Sequence, residues 1–472
     1  MRRRHHIAII GGGFSGTALA VHLLRLGDSR LEVSLIEARD RLGRGIAYDT
    51  LLDEHVLNTR AGQMSMLPDD PHHFVSWLDR NGEPVTAADF VSRRRYGDYV
   101  EETLLDALDE AGRNGQVFRA HTRTRATDIA PLGDGFVVEL DNGGRLLAQS
   151  VVLALGHPRP ADPFGEGLSR WTPRYVRDPW QKNLAAGVAP DDRVLILGTG
   201  LTMVDAVLTL LARGHRGPIH ALSRNGLLPR PHSARVDVLP TAQRQRLAAA
   251  VRGRPDVRKL VRVIRAAVEE AAQEGIGWQA VFDALRPSVS EIWDALSEDD
   301  RARFVRRLRP FWDVHRHRVA PEPARKIAQL IAEGRLDIRA GRALRAIPDD
   351  SGIDVTQSLR KETTPRTERY HWVINCTGPC YHPASRSPLE RRLVERGVLR
   401  GDRLGVGYVT SAGGDVIGNA GLVPGLYMLG PGCRPAGWES TSVPELRDHA
   451  EALAARIVLQ RRDAWHALRR RA

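Results

Sequence analysis

The sequence predicts an α/β protein of two interleaved domains, each a parallel sheet with helices on both faces. Three observations carry this reading. A short apolar strand runs into a glycine turn and a helix near the N-terminus, the same order recurs from Arg193, and two more apolar strands each end in glycine. A chain of 472 residues, 42% apolar and 27% charged, is long enough for two or three cores. Its 44 glycines and 28 prolines follow no short period, which excludes collagen-like and low-complexity readings. Three cysteines cannot make a disulfide framework, so a reduced, cytoplasmic setting is expected.

The net charge of +12 raises the question of nucleic acid. The basic residues are 65 arginines against four lysines, Lys182, Lys259, Lys326 and Lys361, a skew that codon bias explains more simply. They are interleaved with acids, and the one purely basic end is Arg469-Arg470-Arg471, so no nucleic-acid partner is expected. Met1 to Arg4 before Ile7 to Ile10 imitates a signal peptide, but Gly11 to Gly13 cut the apolar run at once. No run of 18 apolar residues occurs, so no membrane span is expected.

The first strand is His6 to Ile10, and Gly11-Gly12-Gly13-Phe14-Ser15-Gly16 completes GxGxxG where a helix, Thr17 to Leu26, begins. Gly11 permits the turn, Gly13 admits a pyrophosphate, and Gly16 lets helix and strand pack closely. Phe14 and Ser15 stand at the helix start, where free N–H groups and the dipole favour phosphate. A second strand, Leu31 to Ile36, ends at Glu37, whose carboxylate suits ribose hydroxyls and repels a 2'-phosphate. This site is expected to take FAD or NAD.

The second copy runs from the strand Arg193 to Leu197, through Gly198-Thr199-Gly200-Leu201-Thr202-Met203, into a helix, Val204 to Ala212. Met203 replaces the third glycine, which implies looser packing of helix on strand. The next strand, Pro218 to Leu222, ends at Ser223-Arg224. By count, Arg224 follows Gly198 by the same 26 residues that separate Glu37 from Gly11, so the two are expected at equivalent positions. An arginine there suits a 2'-phosphate and hence NADPH, and the competing reading is a surface arginine on a loop. The strands ending at Gly156 and Gly378 close the two sheets. The resulting plan is an FAD domain over 1–160, an NADPH domain over 190–378 with a helical insertion at 241–336, and a return to the FAD domain over 379–472.

Four further stretches carry a family resemblance. They are Gly43 to Tyr48 with His55 to Ser65, Ser223 to Arg230, Arg309 to Arg318, and Trp438 to Arg447. With the glycine turns, they make the chain resemble a bacterial FAD/NAD(P)-binding protein family related to the flavin-dependent N-hydroxylating and Baeyer-Villiger monooxygenases. The resemblance implies FAD and NADPH as cofactors and places Tyr48, Asn58, Gln63, Met64 and Ser65 along the flavin, with Asn58, Gln63 and Ser65 as candidate hydrogen-bond partners. The competing reading is a loop bonded to its own backbone. Gly425 to Gly430 resembles the strand that leads to the flavin, making Gly430 a further candidate. Related reductases carry an aspartate after that glycine, and here it is Pro431.

No CxxC or CxxxxC pair is present, and Cys376 and Cys380 read as buried small hydrophobes. His22 reads as a packing or surface residue, and no metal-binding spacing occurs. Residues Thr241 to Leu336 read as largely helical, with Leu260, Val263, Ile264 and Val268 at helical spacing, and are placed to form a substrate lid. His315, Arg316 and Arg318 are candidates for NADPH phosphates or a substrate carboxylate, against a solvated helix face anchored by Trp312. No catalytic dyad is legible. The function implied is an NADPH-consuming flavin monooxygenase of a small molecule, an amine N-hydroxylase being one form. The alternatives are a flavin oxidoreductase serving another acceptor and a non-enzymatic redox sensor.

Overall fold

The computed structural model describes residues 4–165, 167–180, 184, 186–253, 256–382 and 386–471, with side chains up to Arg461. Met1 to Arg3, Lys182 and the side chains of Arg469 to Arg471 lie outside them. The chain forms two compact units. One comprises Met1–Leu51, Thr59–Pro158 and Tyr381–Ala472, the other Leu52–Asn58 and Arg159–Cys380.

The sheet of the first unit has the strand order Asp415–Gly418, Gly421–Met428, Ser150–Leu153, His5–Ile10, Leu31–Ile36, Val117–His121. All neighbours are parallel except the first pair. The last four residues of His5–Ile10 and all of Ser150–Leu153 are buried, as central parallel strands covered on both faces must be. The helix Phe14–Leu26 covers one face, and the helix Val443–Arg471 packs on it through Leu446, Ala450, Leu453 and Ile457. Arg461 pairs bidentately with Asp28 at 2.7 and 2.9 Å, which holds that carboxyl well below the usual range. An antiparallel meander, Ala126–Leu132, Gly135–Leu140 and Arg145–Ala148, stands beside the sheet.

The second unit repeats the plan. Its sheet runs Arg366–Tyr370, Ile353–Leu359, Leu336–Pro348, Ile219–Ser223, Val194–Leu197, Trp372–Asn375, Tyr175–Val176. Leu336–Pro348 pairs parallel with Ile219–Ser223 over its first five residues, then antiparallel with Ile353–Leu359 from Gly341. One strand thus does the work of two in the first unit, where Val117–His121 and the meander are separate. This unit begins earlier than the sequence division at 190, because Tyr175–Val176 adds an edge strand beside Trp372–Asn375. It also takes in Leu52–Asn58, since His55 Nε2 bonds the Asp205 carbonyl (3.1 Å) and Thr209 Oγ1 (3.0 Å) on the helix Leu201–Ala212.

The insertion is helical from Thr241–Val251 through Val257–Gln273, Trp278–Leu285, Val289–Ala295, Glu298–Arg303 and Arg309–Arg316 to Pro321–Ala332. It stops short of Leu336, where a strand starts. Asp256 caps the second of these helices by accepting from the Lys259 N–H at 2.7 Å. Leu260 is buried there, while Val263, Ile264 and Val268 are half-buried.

Each unit buries a histidine in neutral form. Burial pushes His22 in the first unit down to about 4, helped by Arg25, and His220 in the second down to about 4, helped by Arg339. The unfolded chain protonates these rings below about 6.5, whereas the folded one resists until about 4. Stability should therefore be level above pH 6.5 and fall as pH drops towards 4, each ring contributing up to about 3 kcal/mol. Melting temperatures across this range check the sign, and His220→Gln should flatten the slope.

Candidate functional site: two glycine turns

The two turns open with the same backbone conformation. Gly11 has φ of 109° and Gly198 of 110°, a region that suits glycine. A Cβ on Gly11 would lie 2.2 Å from the Ala154 carbonyl oxygen, and one on Gly198 would lie 2.2 Å from that of Cys376. Ala154 and Cys376 directly follow the strands Ser150–Leu153 and Trp372–Asn375, so each turn is pressed against the end of its neighbouring strand. Two residues further on, Gly156 and Gly378 have φ of 69° and 86°. Gly13 and Gly200, both extended, cap the helices Phe14–Leu26 and Leu201–Ala212. The first intrahelical bonds come from Thr17 N–H to Gly13 and from Met203 N–H to Gly200, which leaves the N–H groups of Phe14, Ser15, Leu201 and Thr202 without an intrahelical acceptor, as an anion site requires.

The third position separates the turns. A Cβ on Gly16 would lie 1.9 Å from the Gly11 carbonyl oxygen, a distance no side chain tolerates. Met203 is nevertheless fully buried in the core of the second unit. The second unit thus accommodates at this position a side chain that the first cannot.

Strand register corrects the pairing of Glu37 with Arg224. Ile10 lies opposite Ile36, and Leu197 opposite Leu222. Gly11 N–H bonds Ile36 O and Gly198 N–H bonds Leu222 O, both at 2.8 Å. The counterpart of Glu37 is therefore Ser223, and Arg224 comes one residue later, because the second unit reaches its second strand one residue sooner.

Glu37 is buried, with Oε2 accepting from Gly12 N–H (2.7 Å) and Oε1 from Arg39 N–H (2.8 Å). Each oxygen keeps a lone pair for a ribose hydroxyl. Ser223 is half-buried, and its Oγ accepts from Gly226 N–H at 3.1 Å and lies 2.8 Å from Thr199 Oγ1. Arg224 is exposed and makes no hydrogen bond or ion pair with the described residues.

Around the first turn, Gly43 N–H bonds Gly12 O at 2.7 Å and brings a loop over the helix start. Buried Arg44 anchors that loop to Asp98 and, at 3.1 Å, to Glu101. Gly45, with φ of 53°, faces Gly13 so closely that a Cβ on Gly13 would lie 3.3 Å from the Gly45 Cα. Sequence reasoning missed Gly45, although the Gly43-Arg44-Gly45 spacing was visible. Tyr48 closes the loop, 4.7 Å from the Tyr96 ring and 6.3 Å from that of Phe14, and burial raises its phenol pKa. The Tyr96 hydroxyl is buried with no partner among the described residues. Gly430, with φ of 101°, meets Ser15 on the helix, where a Cβ would lie 3.2 Å from Ser15 Oγ. Pro431 opens a short turn, Pro431–Cys433, and is buried.

The remaining candidates divide. Gln63 is exposed in the turn Ala61–Gln63, and Met64 is buried directly after it. Asn58 belongs to the second unit, where its carbonyl accepts from His232 Nε2 at 2.9 Å. Ser65 does not present its hydroxyl to a ligand. Fully buried, it accepts from Leu67 N–H (3.1 Å) and reaches the Asp70 carbonyl (2.6 Å), so the loop reading holds for it. Ser65→Ala should cost about 1 kcal/mol of stability, visible in the melting temperature, with flavin content unchanged. Arg318 is likewise committed, being buried and paired with Asp283. His315 stacks on Phe282 at 5.3 Å and bonds the Phe311 carbonyl at 2.7 Å, while Trp312 is only half-buried.

Burial raises the thiols of Cys376 and Cys433, the latter to about 12, whereas Cys380 is half-buried rather than buried as expected. Among the described residues, no group of three or more His, Cys, Asp or Glu side chains is placed to hold a metal ion. Nor is any helix among them long and apolar enough to cross a membrane.

Residues 8–158, which contain the whole first turn and its closing strand, match a family model described as FAD-NAD(P)-binding. This stretch is an FAD-NAD(P)-binding domain. No curated protein sequence matches the chain. Among solved structures, the ornithine N-hydroxylase of Kutzneria sp. 744, with reduced FAD, NADP+ and L-ornithine, is 15% identical with a TM-score of 0.63, over 98% of this chain and 100% of that one. The ornithine hydroxylase of Pseudomonas aeruginosa, in its reduced form, is 16% identical with a TM-score of 0.66, over 97% and 99%. The bacillithiol disulfide reductase of Bacillus cereus is 14% identical with a TM-score of 0.54, over 97% and 100%. At these identities the shared property is the fold, that of two-domain FAD/NAD(P)-binding flavoproteins.

Proposed function

We propose that the chain is an FAD-dependent, NADPH-consuming monooxygenase acting on a small molecule, an amine being the favoured class. One observation carries the reading: after two similar turns the next strands end in different chemistry, a buried carboxylate at Glu37 and, one residue past its counterpart Ser223, an exposed guanidinium at Arg224. A carboxylate selects free ribose hydroxyls, and a guanidinium selects a 2'-phosphate. FAD fits the first turn. The facing glycines Gly13 and Gly45 leave a cradle that side chains would fill, and the Phe14 and Ser15 N–H groups, without intrahelical acceptors, would hold its pyrophosphate. Tyr48 and Gly430 flank it, and Gly11, Gly16 and Gly156 shape it. In the second unit a Cβ on Gly200 would meet nothing within 4 Å, so there is open space beside the start of the helix, where the N–H groups of Leu201 and Thr202 would meet a nucleotide, with Gly198 and Gly378 shaping the turn. When bound, the flavin supplies the redox chemistry, taking a hydride from the nicotinamide and delivering electrons to oxygen.

The protein's own share is orientation and exclusion of water, and acid–base groups are not demanded of it. Two features favour oxygen over a disulfide as acceptor. The full-length likeness is greater to the ornithine hydroxylases than to the disulfide reductase, and Cys376 and Cys433 are buried thiols of raised pKa, poor nucleophiles.

The purified protein should be yellow, and anaerobic NADPH should bleach it. Admitting oxygen with a panel of primary amines should yield a hydroxylated amine in step with NADPH consumed. Release of peroxide alone, indifferent to every amine, would overturn the monooxygenase in favour of a flavin oxidoreductase. Failure of NADPH to bleach the flavin would favour a redox sensor.

A further inference from the structure

The two turns differ at their second residue, and the difference is coupled to the residue that ends the next strand. In the first turn the second residue is Gly12. A Cβ there would lie 2.8 Å from Glu37 Cβ and 2.8 Å from Leu42 Cδ2, so the glutamate occupies the room a side chain would need. In the second turn the position is Thr199, which is buried, and its partner across the same gap is the smaller Ser223. The first turn thus pairs a bare glycine with an acid, and the second pairs a hydroxyl with a hydroxyl.

The protons in this contact can be assigned. Thr199 Oγ1 lies 2.5 Å from the Leu227 carbonyl oxygen, which only accepts, so the threonine hydroxyl donates there. The 2.8 Å contact to Ser223 must then run the other way, with Ser223 donating to Thr199. Ser223 also accepts from Gly226 N–H at 3.1 Å. Its single proton is spent and one lone pair remains. In that state Ser223 offers an acceptor to the ribose 2'-hydroxyl of NADH and no donor to the 2'-phosphate of NADPH, whose recognition falls to Arg224.

We propose that Thr199 is a positioning residue that sets the nucleotide preference of the second turn, by holding the Ser223 hydroxyl as an acceptor and so keeping NADH usable beside NADPH. This rests on the reading of the second unit as the nicotinamide nucleotide site.

The test is the ratio of KM for NADH to KM for NADPH, measured by anaerobic bleaching of the flavoprotein. Thr199→Val removes the acceptor of the Ser223 proton and frees it for phosphate. It should raise the ratio about tenfold in favour of NADPH, the effect of one hydrogen bond to a charged group, with kcat little changed. Thr199→Ser keeps the hydroxyl and should restore the wild-type ratio. Ser223→Ala, which leaves the buried threonine in place, should raise KM for NADH several-fold more than that for NADPH. A Thr199→Val protein that bleaches at the wild-type ratio, or a Ser223→Ala protein that weakens both nucleotides equally, would overturn the proposal. Loss of bleaching by both nucleotides in the wild type would instead defeat the assignment of the second unit.

Discussion

Gly16→Ala should cost the first unit about 3 kcal/mol or more, lowering its melting temperature by roughly 10 °C and stripping it of bound flavin. The added methyl would lie 1.9 Å from the Gly11 carbonyl oxygen, and Gly11 has nowhere to retreat. Its own φ of 109° and the Ala154 oxygen, 2.2 Å from any Cβ placed on it, pin it from the other side. The methyl has no rotamer and its neighbour is backbone, so no side-chain movement relieves the clash. The corresponding position of the second unit is also sensitive, for the opposite reason. Met203 is fully buried, and Met203→Ala should destabilise by about 2–5 kcal/mol through the cavity it leaves. Thermal melts of both variants, with flavin content by absorbance, decide the matter. A Gly16→Ala protein that melts with the wild type and keeps its flavin would show that the helix start is not held against the turn.

Arg224→Ala should raise KM for NADPH by about 10- to 100-fold and KM for NADH by less than about twofold, with kcat unchanged. The guanidinium is exposed and engaged by no described group, so its removal disturbs no fold contact, and what is lost is binding to a doubly charged phosphate. Arg224→Lys should recover part of the loss, since an ammonium keeps the charge without the planar fork. Equal weakening of both nucleotides would sink the 2'-phosphate assignment and return Arg224 to a surface residue.

Much of the architecture was legible because it is local. An apolar strand, a turn that only glycine can take and a helix start are each specified by a few adjacent residues, which is why Gly11, Gly13, Gly198 and Gly200 could be named from spacing. The antiparallel meanders at Ala126–Ala148 and Leu336–Tyr370 are less legible: Gly135–Leu140 and Ile353–Leu359 alternate, but the strands Ala126–Leu132 and Leu336–Pro348 beside them mix charge with apolar residues and show no clean alternation. Ser65 shows the limit for single side chains. Its place in a flavin-like motif says nothing of whether its hydroxyl is already spent, and only the bonds to Leu67 and Asp70 reveal that it is. Arg318 is a similar case, its charge being met by Asp283 on the helix Trp278–Leu285, far from it in sequence.

By itself, the sequence determined that two glycine turns of the same order exist, where each begins, and that an acid follows one second strand and an arginine the other. The tertiary structure decided which residues stand opposite each other. Counting along the chain places Arg224 with Glu37, yet hydrogen-bond register places Ser223 there. A helix and its loops can shed a residue without moving the strands they join, so contour length and spatial position part company between the strands and agree again only inside the sheet. From that one-residue difference come the Thr199 contact, the direction of its protons and the expectation of which nucleotide the second unit prefers.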